Sequence, residues 1–143
     1  MKILVSACLL GENCKYNGGN NRNERVLRYV QGHEVIPVCP EVMGGLSCPR
    51  KPVEWHEGRV LTRDGDDYTQ NFRQGVQQVL DIIGGRQIDL AILQSRSPTC
   101  GVKQIYDGTF TGTRIPGMGL LAKTLHELGI PLMDAEDVPD CTR

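Results

Sequence analysis

IDLAILQSRSPTCG, residues 88–101, runs from a short apolar segment into a crowded polar loop. IDLAILQ is too short for a typical helix and shows no solvent-facing period, the pattern of a strand buried on both faces of a parallel sheet. The loop that follows is stiff. Pro98 biases Ser97 to extended backbone, and Gly101 lets the chain turn sharply after Cys100, so Ser97 and Cys100 are held on one rigid connection.

Working outward from this stretch, KILVSAC (2–8) has the same buried-strand character, and EVIPVC (34–39) is a second such run. Pro37 lacks a backbone N–H and argues against a central place for that strand. IPLMD (130–134) is a last short strand. Helical periods lie between them. NERVLRYVQG (23–32) places Val26, Leu27 and Val30 on one face and closes at Gly32. Residues 68–83 place Phe72, Val76, Val79, Leu80 and Ile83 on another, with Thr69 or Asp67 as cap and Gly84-Gly85 as stop. In LLAKTLHELG (120–129), Leu120, Leu121, Leu125 and Leu128 are expected to face inward. EVMGGLSCPRKPVEW (41–55) reads as an irregular loop. Glu57-Gly58 marks a hairpin, and Asp107-Gly108 is the sequence signal of a two-residue hairpin turn.

Strands alternating with helices build a three-layer α/β domain: a mostly parallel sheet of about four strands, helices on both faces, and short hairpins at the side. With 143 residues the chain is expected to form one domain over 1–143, ending in a polar tail at 136–143. Sixteen basic and seventeen acidic residues give a net charge of -1, which lacks the basic footprint of a nucleic-acid binder. Aromatic content of 5% leaves no expectation of an aromatic stacking platform. No apolar run approaches the roughly 18 residues of a membrane span. Val5-Ser6-Ala7-Cys8 mimics a lipidation site, but the segment before Cys8 is too short for an export signal, and Glu12 and Lys15 follow at once. Six cysteines in such a chain point to thiols or metal ligands in a reducing, cytoplasmic setting, not to disulfides.

Ligand sites of open parallel sheets lie beyond the carboxyl ends of the strands. Cys8, Cys39 and Cys100 each stand where a predicted strand runs out, so the fold brings three thiols from distant segments to one rim. Such a set favours zinc or an iron-sulfur cluster over hard cations. The plainer alternative is three small apolar fillers. No C-x-x-C occurs, which removes zinc ribbons and thioredoxin-like dithiols. Glu41, two residues past Cys39, is placed over the same crevice, where a carboxylate near thiolates must be protonated or hydrogen-bonded and is suited to acid/base work; its alternative is a cap at the Val42-Met43-Gly44 bend. His33, His56 and His126 are scattered. The glycines at 18–19, 44–45 and 117–119 are weak anion-cradle signals and read mainly as turns.

MKILVSACLLGENCKYNGG (1–19), VCPEVMGGLSCPRKPVE (38–54), and SRSPTCG (95–101) followed by IYDGTFTG (105–112) resemble the signature blocks of the thiouracil desulfidase family, long known as a bacterial domain of unknown function. The resemblance runs from Met1 to about Ala135. It implies a 4Fe-4S cluster held by three cysteines, which fall by motif on Cys8, Cys39 and Cys100, with one iron open to a thione sulfur. Water then attacks the carbon, and sulfur leaves as hydrosulfide without net redox change. The family's acid/base glutamate falls on Glu41 and its active-site serine on Ser97. Cys14 matches a cysteine frequent in the family, either behind the ligands or as a fourth ligand at rest. Cys48 departs from the pattern and is an alternative ligand to Cys39. Arg50, Lys51 and Glu54 are expected to shape the entrance for a small thione substrate. Cys141 sits in the polar end DCTR as an incidental thiol. The expected form is a monomer or homodimer. The competing functions are an iron-sulfur or zinc binding or sensing protein without catalysis, and a sulfur-transfer or redox protein with Cys14 or Cys100 as nucleophile.

Overall fold

Two central strands carry almost no exposed surface, and the rest of the fold follows from covering both of their faces. The computed structural model describes residues 1–140. β1 (Lys2–Ser6) and β5 (Leu90–Leu93) lie side by side in a four-stranded, all-parallel sheet with β2 (Glu34–Val38) outside β1 and β8 (Leu132–Asp134) outside β5, giving the order β2-β1-β5-β8. Pro37 therefore sits on an edge strand, paired with Val5 of β1. Successive side chains point to opposite faces. Leu4, Val38, Ala91 and Leu93 pack under α3 (Thr69–Ile83) and α4 (Leu120–Glu127), which contribute Val76, Val79, Ile83, Leu121, Ala122 and Leu125. Ile3, Val5, Leu90 and Ile92 pack against Val26 of α1 (Glu24–Tyr29) and Val30 just after it, together with Ala135 and Val138. These are the three α/β layers read from the alternation of periods.

Two antiparallel ribbons sit beside the sheet. β3 (Val53–His56) pairs with β4 (Arg59–Thr62) through Glu57 and Gly58, both at positive φ, the turn that a two-residue hairpin requires. β6 (Gln104–Tyr106) pairs with β7 (Arg114–Pro116), and here the expected two-residue turn at Asp107-Gly108 is absent: residues 107–113 form a longer loop. Asp107 turns its carboxylate on the N–H and hydroxyl of Thr109, and the loop docks on β3 instead of folding back on itself.

Other departures are local. Cys39 stands before α2 (Pro40–Met43), a single helical turn inside the segment read as irregular, with Pro40 in the first turn where its missing N–H costs nothing. Leu128 is 61% exposed because α4 ends at Glu127 and the chain turns away at Gly129. Leu27 and Leu80 are only partly buried, at the margins of their helical stripes. Asp67 accepts the N–H and hydroxyl of Thr69 at the start of α3, and the Thr69 hydroxyl in turn accepts the N–H of Val60. The polar stretch expected as a tail is anchored as far as residue 140. Glu136 and Asp137 pair with Arg96 and Lys103, Val138 is buried, and Asp140 meets Arg28. Cys141 lies outside the described residues.

α2 is fixed by an unusually close crossing with α3. A Cβ on Gly75 would lie 1.8 Å from the Pro40 carbonyl oxygen, and one on Gly44 would lie 2.0 Å from that of Asn71. Glycine at both points lets two backbones touch, and Asn71 Nδ2 donates to the Gly44 carbonyl at 2.9 Å across the contact.

Candidate active site

The register levels the carboxyl ends of three strands. Ser6 pairs with Val38, Val5 pairs with Ile92, and the Ser6 hydroxyl accepts the N–H of Gln94 at 3.0 Å. The connections that leave β1, β2 and β5 therefore start at one rim. There they surround a cavity of about 520 Å³ lined by Cys8, Cys14, Cys39, Cys100, Glu41 and Ser97, among others.

Each thiol is set by a short piece of local structure. Cys8 lies in the 3-10 turn Ala7–Leu10, which Gly11 closes at φ +100°, and Asn21 Nδ2 donates to its sulfur at 3.5 Å. Cys39 is the residue before α2, with its sulfur 3.8 Å from the Cys14 carbonyl oxygen. Cys100 is buried. Its loop is locked onto α4: the Pro98 and Thr99 carbonyls accept the N–H groups of Leu120 (3.1 Å) and Leu121 (2.9 Å), donors that a helix start leaves without partners. Gly101 is needed for space, since a Cβ there would lie 2.7 Å from the Gln104 carbonyl and 2.8 Å from that of Ser97.

The four thiols differ in acidity. Cys14 hydrogen-bonds through its thiol to the sulfurs of Cys39 and Cys8, and these bonds hold its proton well above the ordinary thiol range. The same contacts draw Cys8 below 9.0 and bring Cys39 down to about 7. Burial pushes Cys100 up to about 12. Cys14 is itself part of the cavity wall, beside Cys8 and Cys39, with its one proton shared between their sulfurs. Cys48 is not part of the cavity wall: it is exposed, and its thiol donates to the carbonyls of Asn13 (3.0 Å) and Lys15 (3.1 Å), pinning the loop that carries Cys14.

Glu41 is held at both oxygens. Oε1 meets Arg50 Nε at 3.1 Å and Oε2 accepts the Thr99 hydroxyl at 3.0 Å. The side chains of Glu41 and Arg50 are 14% and 6% exposed, which makes this a largely desolvated pair. Ser97 Oγ accepts the N–H groups of Thr99 (3.2 Å) and Cys100 (3.0 Å) and stands 3.1 Å from Thr99 Oγ1. Both lone pairs of Ser97 are then used, and the Thr99 proton is committed to Glu41, so the Ser97 proton is directed to Thr99 or into the cavity. Thr99 is the residue that sequence reasoning missed. The signal was two hydroxyls spaced around Pro98, a spacing suited to local hydroxyl-to-backbone turns.

The remaining expectations divide. Arg50 and Glu54 both line the cavity, but each is committed to the protein: Arg50 to Glu41, and Glu54 to the backbone N–H groups of Gly108 (2.9 Å) and Phe110 (3.2 Å). Lys51 is exposed and pairs with Asp64 and Asp66. Three aromatic side chains that composition does not locate, Tyr16, Tyr106 and Phe110, stand in the wall.

Among the described residues no three His, Cys, Asp or Glu side chains converge as ligands of a single metal ion. Cys8, Cys39 and Cys100, from the connections after β1, β2 and β5, instead line one common cavity. A single ion needs its donors at one point, whereas a polynuclear cluster distributes thiolates over separate irons. An all-sulfur donor set on one cavity is the chemistry that fits an iron-sulfur cluster.

The family description 2-thiouracil desulfurase matches residues 3–137. A Bacillus subtilis (strain 168) protein, "Uncharacterized protein YbbK", is 33% identical over 148 residues, which cover 96% of this chain and 98% of the relative. A solved structure of the [4Fe-4S]-dependent thiouracil desulfidase TudS matches with a TM-score of 0.89 at 34% identity, covering 96% of this chain and 93% of that one.

Proposed function

Since the chain belongs to the 2-thiouracil desulfurase family, we propose that it hydrolyses the C–S bond of a small thione such as 2-thiouracil, with Cys8, Cys39 and Cys100 holding a 4Fe-4S cluster. The observation that carries this reading is the meeting of those three thiols with Glu41 and Ser97 on one cavity. A cluster held by Cys8, Cys39 and Cys100 would supply a Lewis-acidic iron able to take a soft sulfur. The reaction balances without an electron donor: the thione and water give the carbonyl compound, hydrosulfide and a proton.

The chain's own groups manage the proton and the substrate. Each Glu41 oxygen keeps a lone pair after its contact with Arg50 or Thr99, so the carboxylate takes a proton from the attacking water. Ser97 is a donor only, and its hydroxyl is the group that hydrogen-bonds a heteroatom of the substrate. Arg50 and Thr99 keep the Glu41 carboxylate in one orientation through both steps, which is the value of preorganised polar groups in a desolvated site. The thiol of Cys14 lowers both Cys8 and Cys39 and so favours the thiolate, the form that ligates iron. No helix among the described residues is long and apolar enough to cross a membrane. The free thiols suit the reducing cytoplasm.

The test is anaerobic reconstitution with iron and sulfide, followed by iron analysis, visible absorption and assay of sulfide released from 2-thiouracil. Cys8→Ala, Cys39→Ala and Cys100→Ala should lose iron, and Cys48→Ala should keep it. Glu41→Gln should keep iron and lose sulfide release, an outcome that a storage or sensing protein does not produce. Colourless wild-type protein without iron, or iron-loaded protein that releases no sulfide, refutes the reading.

A further inference from the structure

Phe110 is held in the cavity wall by more contacts than its loop requires. Its φ of +58° lies in the left-handed region, which a bulky residue enters only against strain. Three groups fix it there. Glu54 Oε1 accepts the N–H of Phe110 at 3.2 Å and that of Gly108 at 2.9 Å. Arg63 lies over the ring, 5.4 Å from its centroid, and Nη2 donates to the Phe110 carbonyl at 3.4 Å. At Gly108 a Cβ would lie 2.5 Å from the Trp55 carbonyl, so the loop rests backbone to backbone on β3. The same strand reaches the other side of the site, where Trp55 Nε1 donates to the Pro98 carbonyl at 2.7 Å. β3 therefore sets the aromatic wall and the loop of Ser97 and Cys100 at a fixed separation.

Resting on the desulfidase reading, we propose that Phe110 is the stacking platform for the planar ring of a heterocyclic thione, and that Glu54 is the positioning residue that keeps the platform in place. A flat ring has a π-face to lay on Phe110 while its sulfur is turned to the thiols, and an acyclic thione has none. Arg63 backs the ring and restrains it from swinging out. The specificity for a ring thus comes from a wall that touches neither the sulfur nor the attacked carbon.

The experiment uses the reconstituted, iron-loaded protein and calorimetric titration with uracil, which offers the ring without the sulfur and is not consumed. Phe110→Ala should weaken uracil binding by about tenfold, the affinity that one stacked base typically supplies, with iron content and melting temperature as in the wild type. Glu54→Ala should produce a similar loss, whereas Glu54→Gln, whose amide oxygen still accepts both N–H groups, should restore most of the affinity. The double variant Phe110→Ala/Glu54→Ala should be no weaker than Phe110→Ala alone, because both remove one contact. Additive losses would mean that Glu54 acts elsewhere and overturn its assignment. Equal affinity in wild type and Phe110→Ala, or no uracil binding by the wild type, overturns the stacking proposal. Sulfide release is assayed separately, so its absence refutes the desulfidase reading without touching the binding result.

Discussion

Gly75→Ala sets two effects of opposite sign against each other, and the structure decides between them. In the interior of α3, alanine is favoured over glycine by about 1 kcal/mol. The added Cβ, however, would stand 1.8 Å from the Pro40 carbonyl oxygen, where real Cβ contacts essentially never fall below 3.0 Å. The obstacle is backbone, so no side chain can rotate out of the way, and α2 and α3 must part by roughly 1 Å or more. Overpacking of this kind costs about 1–3 kcal/mol and more where the backbone cannot yield. We expect a net loss of about 2 kcal/mol, read as a lower urea midpoint at unchanged slope. Because α2 carries Glu41 and follows directly on Cys39, sulfide release should fall together with stability. A Gly75→Ala protein as stable as the wild type, or more so, would show that the helices do not touch as described.

Arg50→Met leaves the Glu41 carboxylate largely buried and unpaired, so it should cost about 3 kcal/mol or more in urea unfolding, well above the effect of removing an exposed pair such as Lys51 with Asp64. Thr99→Val keeps the shape of the side chain but removes the hydroxyl between Ser97 and Glu41. Steady-state assays should show a drop of about tenfold in kcat, less than the hundredfold or more that loss of a donor to the reacting group itself costs, with Thr99→Ser restoring most of it. In the cluster-free protein the bond from Cys14 brings Cys39 down to about 7, so alkylation of Cys39 by iodoacetamide, followed by peptide mass spectrometry, should rise with a midpoint near that pH instead of near 9.0. The sign is that of any acid lowered on folding: the stabilisation from Cys39 is complete above 9.0 and is lost as pH falls through about 7.

The parts of the fold visible in the sequence were those governed by period and by residue chemistry. IDLAILQ could be read because a run with no polar face has few places to go except the middle of a parallel sheet, and Pro37 announced an edge because it cannot donate to a ladder. That much placed Cys8, Cys39 and Cys100 at one rim. What escaped was decided by contacts between distant segments. The Asp107-Gly108 signal is genuine locally, yet Asp107 takes the Thr109 N–H with which such a turn would close, and Glu54 holds the N–H groups of Gly108 and Phe110 in the opened loop. Leu128 fits the helical stripe of α4 and is exposed only because the helix stops one residue earlier. Arg50 and Glu54 looked free to meet a substrate, since nothing in the sequence shows that Glu41 and the Phe110 loop engage them first. Three aromatics in one wall are likewise invisible in a composition that counts aromatics without locating them.

The two margins of the main sheet have a consequence for how copies of this chain meet. One margin is β2, interrupted by Pro37, and the other is the three-residue β8. Neither offers an unbroken row of backbone donors and acceptors to a neighbour, which is how natural sheets discourage edge-to-edge growth. Growth of the main sheet from molecule to molecule is thereby discouraged at both of its margins, leaving β1 and β5 shielded between them.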